Sequence, residues 1–93
     1  MRLNHDCIRD IILHVEENSN STTHMHSAQF KNSLVQYDEE TLKFHVMFLA
    51  NDGYLLEPQR MASGDYLFTD LTSKGHRFAH KLRTDKNANI FQD

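Results

Sequence analysis

Apolar side chains near the start of the chain recur with the period of an α-helix. They are spaced at i, i+3, i+4 and i+7, which gives a helix over residues 5–17 one apolar face. The positions are Ile8, Ile11, Ile12 and Val15. Asn4 or Asp6 can cap the first turn. Residues 17–23 contain no apolar side chain and are rich in Asn, Ser and Thr, so we expect a loop there.

A second helix is predicted over residues 38–51. Asp38 stands in the N-cap position, and the two glutamates that follow it complement the helix dipole. Tyr37 is placed to pack on Leu42 as a hydrophobic staple. Between the two helices, residues 24–30 fit a short strand or an irregular segment.

A hairpin is predicted after the second helix. Gly53 occupies the position of a C-cap glycine, and residues 54–56 begin a strand. Pro58 restricts this strand to the edge of a sheet or marks its end. The turn lies at residues 62–65 and the return strand at residues 66–69.

A third helix begins near Thr72, and its predicted buried positions are spaced four, three and four residues apart. They are Leu71, Gly75, Phe78 and Leu82. The order helix, short strand, helix, hairpin, helix is that of a winged helix domain, in which the hairpin is the wing. We therefore predict an α+β winged helix domain over residues 1–86 and a polar C-terminal tail over residues 87–93.

Composition places the chain among globular proteins. Of its 93 residues, 39% are hydrophobic and 25% are charged, and the length suits one domain. No stretch reaches the roughly 20 apolar residues that span a bilayer, and the start is polar, so we expect a cytoplasmic protein without membrane contact. The single cysteine, Cys7, falls in the apolar pattern of the first helix and is interpreted as a core residue.

Charge is unevenly distributed along the chain, although the net charge is only −3. Residues 38–53 carry one basic and four acidic groups, whereas residues 71–93 carry five basic and two acidic groups. A nucleic-acid partner would therefore meet the C-terminal segment first. Three cations of the third helix form a stripe at i, i+3 and i+7, and one residue of the predicted wing and one of the second helix can add to it. The candidate nucleic-acid contacts are Lys74, Arg77, Lys81, Arg60 and Lys43.

Several stretches together carry a resemblance to a known family. They are residues 6–9 and 12–13, Phe44-His45-Val46 and Leu49, Asp52-Gly53-Tyr54-Leu55-Leu56, residues 71–78 and residues 83–85. The most specific of them is LTSKGHRF at residues 71–78. In these stretches the chain resembles the domain of unknown function 2513 family over nearly its whole length. The resemblance implies a winged-helix-like fold and a phage or prophage setting, and it leaves the mechanism open.

The second helix also resembles the recognition helix of winged helix repressors, with two departures. Its N-terminal end, which would enter the major groove, carries Asp38, Glu39 and Glu40, and these carboxylates oppose a phosphate backbone. Residues 24–37 hold at most one turn of the helix that should precede it. Both departures lower the expectation that this helix contacts DNA.

The seven histidines suggest metal binding. His76 and His80 stand at i and i+4, and His24 and His26 at i and i+2, which are usable ligand spacings. No second cysteine and no HExxH pattern accompanies them. We interpret His76 and also His45 as histidines that are hydrogen-bonded at the edge of the core. We expect no metal, no cofactor and no enzymatic activity, since no nucleophile, phosphate loop or paired-carboxylate pattern is present.

The second helix is apolar around more of its circumference than one small core can cover. Leu42, Val46 and Leu49 take the inner face, so other apolar residues should meet a partner chain or the tail. The candidate interface residues are Phe44, Met47, Phe48, Tyr54 and Phe91. A homodimer or another protein partner fits this pattern, and so does a purely intramolecular core.

Two functional hypotheses follow. The first is a small DNA-binding regulator of phage or prophage type, which acts as a dimer and contacts duplex DNA through the third helix and the wing. The alternative is a protein-interaction module that binds a host or phage protein through its acidic helix, residues 38–51, without binding DNA. For the basic stripe alone, an ordinary solvated helix surface is the simpler interpretation.

Overall fold

The structure, a computed structural model, describes residues 2–18, 25–26, 33–62, 66–68 and 70–85. Its helices are α1 (His5–Asn18), α2 (Glu39–Asn51) and α3 (Ser73–Thr84). Its strands are β1 (Met25–His26), β2 (Gln59–Arg60) and β3 (Tyr66–Phe68), which pair antiparallel in the order β1-β3-β2. The predicted extents of α1 and α2 and the predicted start of α3 are confirmed. The predicted tail, residues 87–93, lies outside the described residues.

The predicted α+β winged helix fold is wrong, because the described chain is mostly helical. Its helices contain 14, 13 and 12 residues, whereas its strands contain 2, 2 and 3. Each pair of strands is joined at two residue positions. Strands this short add little packing surface, and the described core is formed by the helices and the segments that connect them.

The predicted strand at residues 54–56 is the clearest local error. The backbone N–H groups of Tyr54 and Leu55 both donate to the carbonyl oxygen of Leu49, so these residues complete the C-terminal end of α2. Leu55 forms only an isolated bridge with Leu71. The strand begins after Pro58 instead, because the N–H groups of Tyr54 and Leu55 cap α2 and that of Leu56 donates to Asp70.

Helix α1 begins at a side-chain cap and contributes the centre of the core. The Oδ1 atom of Asn4 accepts hydrogen bonds from the backbone N–H groups of Asp6, at 2.9 Å, and Cys7, at 3.3 Å. Of the two predicted caps, the structure therefore selects Asn4. The apolar face of α1 is completely buried at Cys7, Ile8, Ile11, Ile12 and Val15.

Helices α2 and α3 both pack against α1. Asp38 caps α2 by accepting a hydrogen bond from the N–H of Thr41 at 2.7 Å, as the sequence predicts. The buried residues of α2 are Leu42, His45, Val46 and Leu49, and those of α3 are Gly75, Phe78, Ala79 and Leu82. Tyr37 is half-buried against this core, and its hydroxyl donates to Asp10 of α1 at 2.7 Å.

The end of α2 and the start of α3 meet in a contact that we call the junction, formed by residues 52–56 and 70–75. The N–H of Thr72 donates to the carbonyl of Tyr54 at 3.1 Å, and the Thr72 hydroxyl donates to the carbonyl of Gly53. The same hydroxyl caps α3 by accepting from the N–H of Gly75 at 3.0 Å. A second backbone hydrogen bond joins the N–H of Leu56 to the carbonyl of Asp70. These bonds hold α3 against the end of α2.

The two glycines of this region serve different purposes. A Cβ atom built on Gly75 would overlap the carbonyl oxygen of Tyr54, so only glycine allows α3 to approach this closely. Gly53 has a φ angle of +85° but open space around its Cα atom. It is needed for its backbone conformation alone.

We expect Gly75→Ala to destabilise the chain although alanine is the better helix former. The gain in helix propensity is about 1 kcal/mol, and the steric conflict with Tyr54 should outweigh it, giving a net loss of about 2 kcal/mol. Gly53→Ala is the matched control, with a loss of about 1 kcal/mol from backbone strain only. Urea unfolding measures both variants. A Gly75→Ala variant as stable as the wild type would contradict the close approach.

Candidate nucleic-acid interface

Helix α3 is basic along its whole length. It contains Lys74, Arg77, Lys81 and Arg83 and no Asp or Glu. Its apolar side is turned to the core, so Lys74, Arg77 and Lys81, at i, i+3 and i+7, share an exposed surface that we call the α3 face. The sequence-predicted stripe is therefore present as one surface of the folded chain.

Lys74 also has a structural role in the junction. Its Nζ atom donates to the carbonyl of Asp52 at 3.2 Å and lies 4.4 Å from the centre of the Tyr54 ring. A cation over an aromatic ring is attracted by the electrons of its face. Part of the positive charge of the α3 face is therefore already used inside the chain.

Arg77 and Lys81 are exposed and form no ion pair with any described residue. Arg83 differs, because its guanidinium donates to the carboxylates of Glu16 and Glu17 at the end of α1. These ion pairs raise the pKa of Arg83, beginning with the hydrogen bond to Glu16. Arg77 and Lys81 are thus the cations of α3 that remain best placed for an external anion.

The other two predicted contacts lie on different elements. Lys43 is exposed on α2, and its position nine residues before Asp52 places it about 13 Å along the helix axis from the junction. Arg60 is exposed on β2, where it makes a contact within the chain. The structure does not place either residue on the α3 face.

The predicted partner interface is only partly exposed. Phe44 and Met47 on α2 are 36% and 40% exposed, whereas Phe48 is half-buried and packs against the core. Tyr54 is buried, with the centre of its ring 5.3 Å from that of Phe78. Its predicted place in an exposed interface is therefore wrong. The aromatic and apolar character of Tyr54 serves the junction instead. Phe91 lies outside the described residues.

His45 is a completely buried histidine whose two ring nitrogens are both used. Its Nε2 atom accepts a hydrogen bond from the backbone N–H of Asn4 at 2.9 Å, since a backbone N–H can only donate. The proton is therefore on Nδ1, which donates to the carbonyl of Thr41 at 2.7 Å. The expectation of a hydrogen-bonded core histidine is confirmed for this residue, which ties α2 to the cap of α1.

The remaining predicted histidines do not form a metal centre that the structure describes. His76 is exposed, not at the core edge, and its Nε2 atom is 3.3 Å from Asp70. His80 is exposed one turn further along α3. Within the described residues no three His, Cys, Asp or Glu side chains are grouped as a metal site requires, and His24 lies outside those residues.

Cys7 is buried at the centre of the core, as the sequence predicts. Burial raises the pKa of the Cys7 thiol to about 12, and the negative charge of Asp10 adds to the shift. Burial also raises the pKa of the Tyr37 phenol, and the hydrogen bond to Asp10 raises it further. A thiol that keeps its proton is a poor nucleophile, so we interpret Cys7 as a structural residue of the core.

The sequence pattern of a family described as "Hypothetical protein (DUF2513)" matches residues 2–89. The chain belongs to this family. Comparisons with curated proteins and with solved structures found no match. In the described part of the chain, no helix combines the length and the apolar character that a bilayer crossing requires.

The stretches that carried the DUF2513 resemblance have a structural explanation. Residues 52–56 and the first half of LTSKGHRF are the two sides of the junction, and Phe78 packs on Tyr54. Sequence reasoning did not predict this pairing, because nothing in either stretch alone specifies its partner. The distinctive residues of the chain therefore hold α3 in place, while Arg77 and Lys81 lie on the surface.

The raised pKa of Cys7 predicts a loss of stability in alkali. Between pH 9.0, where the free thiol titrates, and about 12, the unfolded chain has lost the proton that the folded chain retains. The free energy of unfolding should fall in this range by up to about 1.4 kcal/mol per pH unit from this group. In Cys7→Ala, the free energy of unfolding, measured in urea from pH 8 to 11, should fall less steeply with pH than in the wild type. Identical slopes for variant and wild type would contradict the assignment.

Replacement of His45 should destabilise the fold without touching the surface. His45→Phe keeps a ring but removes both hydrogen bonds and leaves the N–H of Asn4 unsatisfied, a loss of about 1–3 kcal/mol. His80→Phe, at an exposed position, is the control and should change the unfolding free energy by less than about 0.5 kcal/mol. Equal stabilities of the two variants in thermal unfolding would disprove the role of His45.

Proposed function

We propose that this DUF2513-family chain is a DNA-binding regulator that contacts the phosphate backbone through the α3 face. The observation that supports the proposal is a helix with four Lys and Arg residues and no carboxylate, on which Arg77 and Lys81 are exposed and form no ion pair with described residues. Positive side chains that displace counterions from DNA are the main source of non-specific affinity.

The charge of the whole chain limits the strength of this binding. The net charge is −3, and the start of α2 is acidic, so among the surfaces of the described residues the α3 face is the one that attracts DNA. Two or three phosphate contacts predict an affinity that falls about 10- to 40-fold between 50 and 200 mM salt. Base-specific contacts are not part of the proposal.

The second candidate function is a protein-interaction module that binds a host or phage protein through α2 without binding DNA. The exposure of Phe44 and Met47 favours it, because apolar and aromatic side chains at the surface are typical of interface centres. The absence of any salt-dependent DNA binding would favour this function over the first.

We expect the purified chain to bind a labelled duplex of random sequence in fluorescence anisotropy, with the salt dependence given above. Arg77→Glu combined with Lys81→Glu should weaken binding at 50 mM salt at least about 10-fold, because two phosphate contacts become repulsive. Arg2→Glu combined with Lys43→Glu is the matched control, since it changes the net charge equally on exposed residues outside α3, and the present proposal gives neither residue a DNA contact.

The control pair should lose much less affinity than the α3 pair. Equal losses would show that net charge alone controls binding and would remove the α3 face from the proposal. No binding by the wild type at the lowest salt would overturn the DNA function itself.

The setting of this function remains a prediction. A phage or prophage origin and a cytoplasmic location are expectations that agree with a small regulator, and the proposal assigns no reaction and no cofactor to the chain.

A further inference from the structure

Helix α2 has an exposed stripe that no described element covers. Glu40, Phe44 and Met47 stand at i, i+4 and i+7, and all three are exposed, whereas the buried residues of α2 lie on the opposite side. We call this stripe the α2 face. It combines one carboxylate with an aromatic ring and a thioether.

The surroundings of the α2 face are acidic. Asp38 and Glu39 precede Glu40, and the hydrogen bond from Tyr37 brings Asp10 of α1 to the same end of the helix. Lys43 is the one cation within α2. A partner that fits this surface has side chains that combine a positive charge with a long apolar portion.

Lysine and arginine side chains have this combination, because their aliphatic stems cover apolar surface while their charged ends meet carboxylates. The chain already contains one example. Lys74 lies over the ring of Tyr54 and donates to the carbonyl of Asp52. The α3 face presents Lys74, Arg77 and Lys81 at i, i+3 and i+7. This is the reverse of the i, i+4 and i+7 spacing on α2, so the two stripes match when the helices run antiparallel.

We propose that the α2 face binds the α3 face of a second copy of this chain, so that two copies form a dimer with two equivalent contacts. In a two-fold dimer, α2 of each copy meets α3 of the other, and both contacts form in one approach. Arg77 of one copy can then lie over Phe44 of the other, with the carboxylate of Glu40 nearby. This interface has opposite charges on its two sides, and it differs from the homodimer predicted from the sequence, in which α3 stays available to DNA.

The exposed apolar surface sets the strength of this dimer. Phe44 and Met47 are only 36% and 40% exposed, which is little compared with the roughly 800 Å² that each partner of a stable complex buries. The dimer is therefore weak and depends on charge, so it forms at high protein concentration and low salt and dissociates as salt screens the contacts.

The dimer and DNA would compete for the α3 face. This consequence rests on the proposed DNA function, whereas the dimer itself does not. Added duplex should convert dimers into DNA-bound monomers, so self-association would limit DNA binding at high protein concentration.

A charge-exchange experiment in the analytical ultracentrifuge, without DNA, tests the dimer. One variant carries Glu40→Lys on the α2 face and Glu39→Lys beside it, and the other carries Arg77→Glu and Lys81→Glu. Each alone should sediment as a monomer at 50 mM salt, because its two faces repel. An equimolar mixture should form a 1:1 heterodimer. The basic α2 of the first variant then meets the acidic α3 of the second, and the acidic α2 of the second meets the basic α3 of the first.

The apolar part of the interface is tested separately with Phe44→Ala combined with Met47→Ala, which should weaken wild-type dimerisation at least about 10-fold. Circular dichroism verifies that all variants are folded. A wild-type chain that stays monomeric at low salt would overturn the proposal and leave the α2 face to a different protein. A dimer that survives the single charge reversals, or a mixture that does not associate, would overturn it as well.

Discussion

The contact between the start of α3 and the backbone of Tyr54 is the constraint on which the rest of the structure depends. Thr72 joins the two segments through its backbone and its hydroxyl, and Gly75 permits an approach that any side chain would prevent. The register of α3 follows from this contact, with Phe78 directed to Tyr54 and Arg77 directed outward. The position of the α3 face is therefore a consequence of the junction.

Helix α1 is the second element on which this arrangement depends. It packs against α2 and α3, and three polar contacts join these regions to it. His45 of α2 accepts from the N–H of Asn4 at the start of α1, Tyr37, which precedes α2, donates to Asp10 near the middle of α1, and Arg83 of α3 donates to Glu16 near its end. Carboxylates collect at the start of α2, and cations line α3. The fold thus creates an acidic and a basic surface from a chain whose net charge is small.

The helices could be predicted from the sequence, because each has an apolar period and a side-chain cap within a few residues. The fold class could not, since residues 54–56 are apolar like a strand, but Tyr54 and Leu55 complete α2 by donating to Leu49, and residues 54–56 also pair with residues 70–72. The α3 stripe was visible from the spacing of Lys74, Arg77 and Lys81. The burial of Tyr54 and the contacts of Asp10 and Asn4 could not be predicted. They depend on residues distant in sequence, about which local patterns hold no information.

Amide hydrogen exchange is the most direct measurement of whether the junction organises the chain. The N–H groups of Leu56 and Thr72 bond across the junction, to Asp70 and Tyr54, and belong to no helix or sheet. We predict that they exchange as slowly as the buried amides of α1, through the same global opening. Exchange of Leu56 and Thr72 at nearly unprotected rates, while α1 remains protected, would show that α3 docks loosely and would contradict the account.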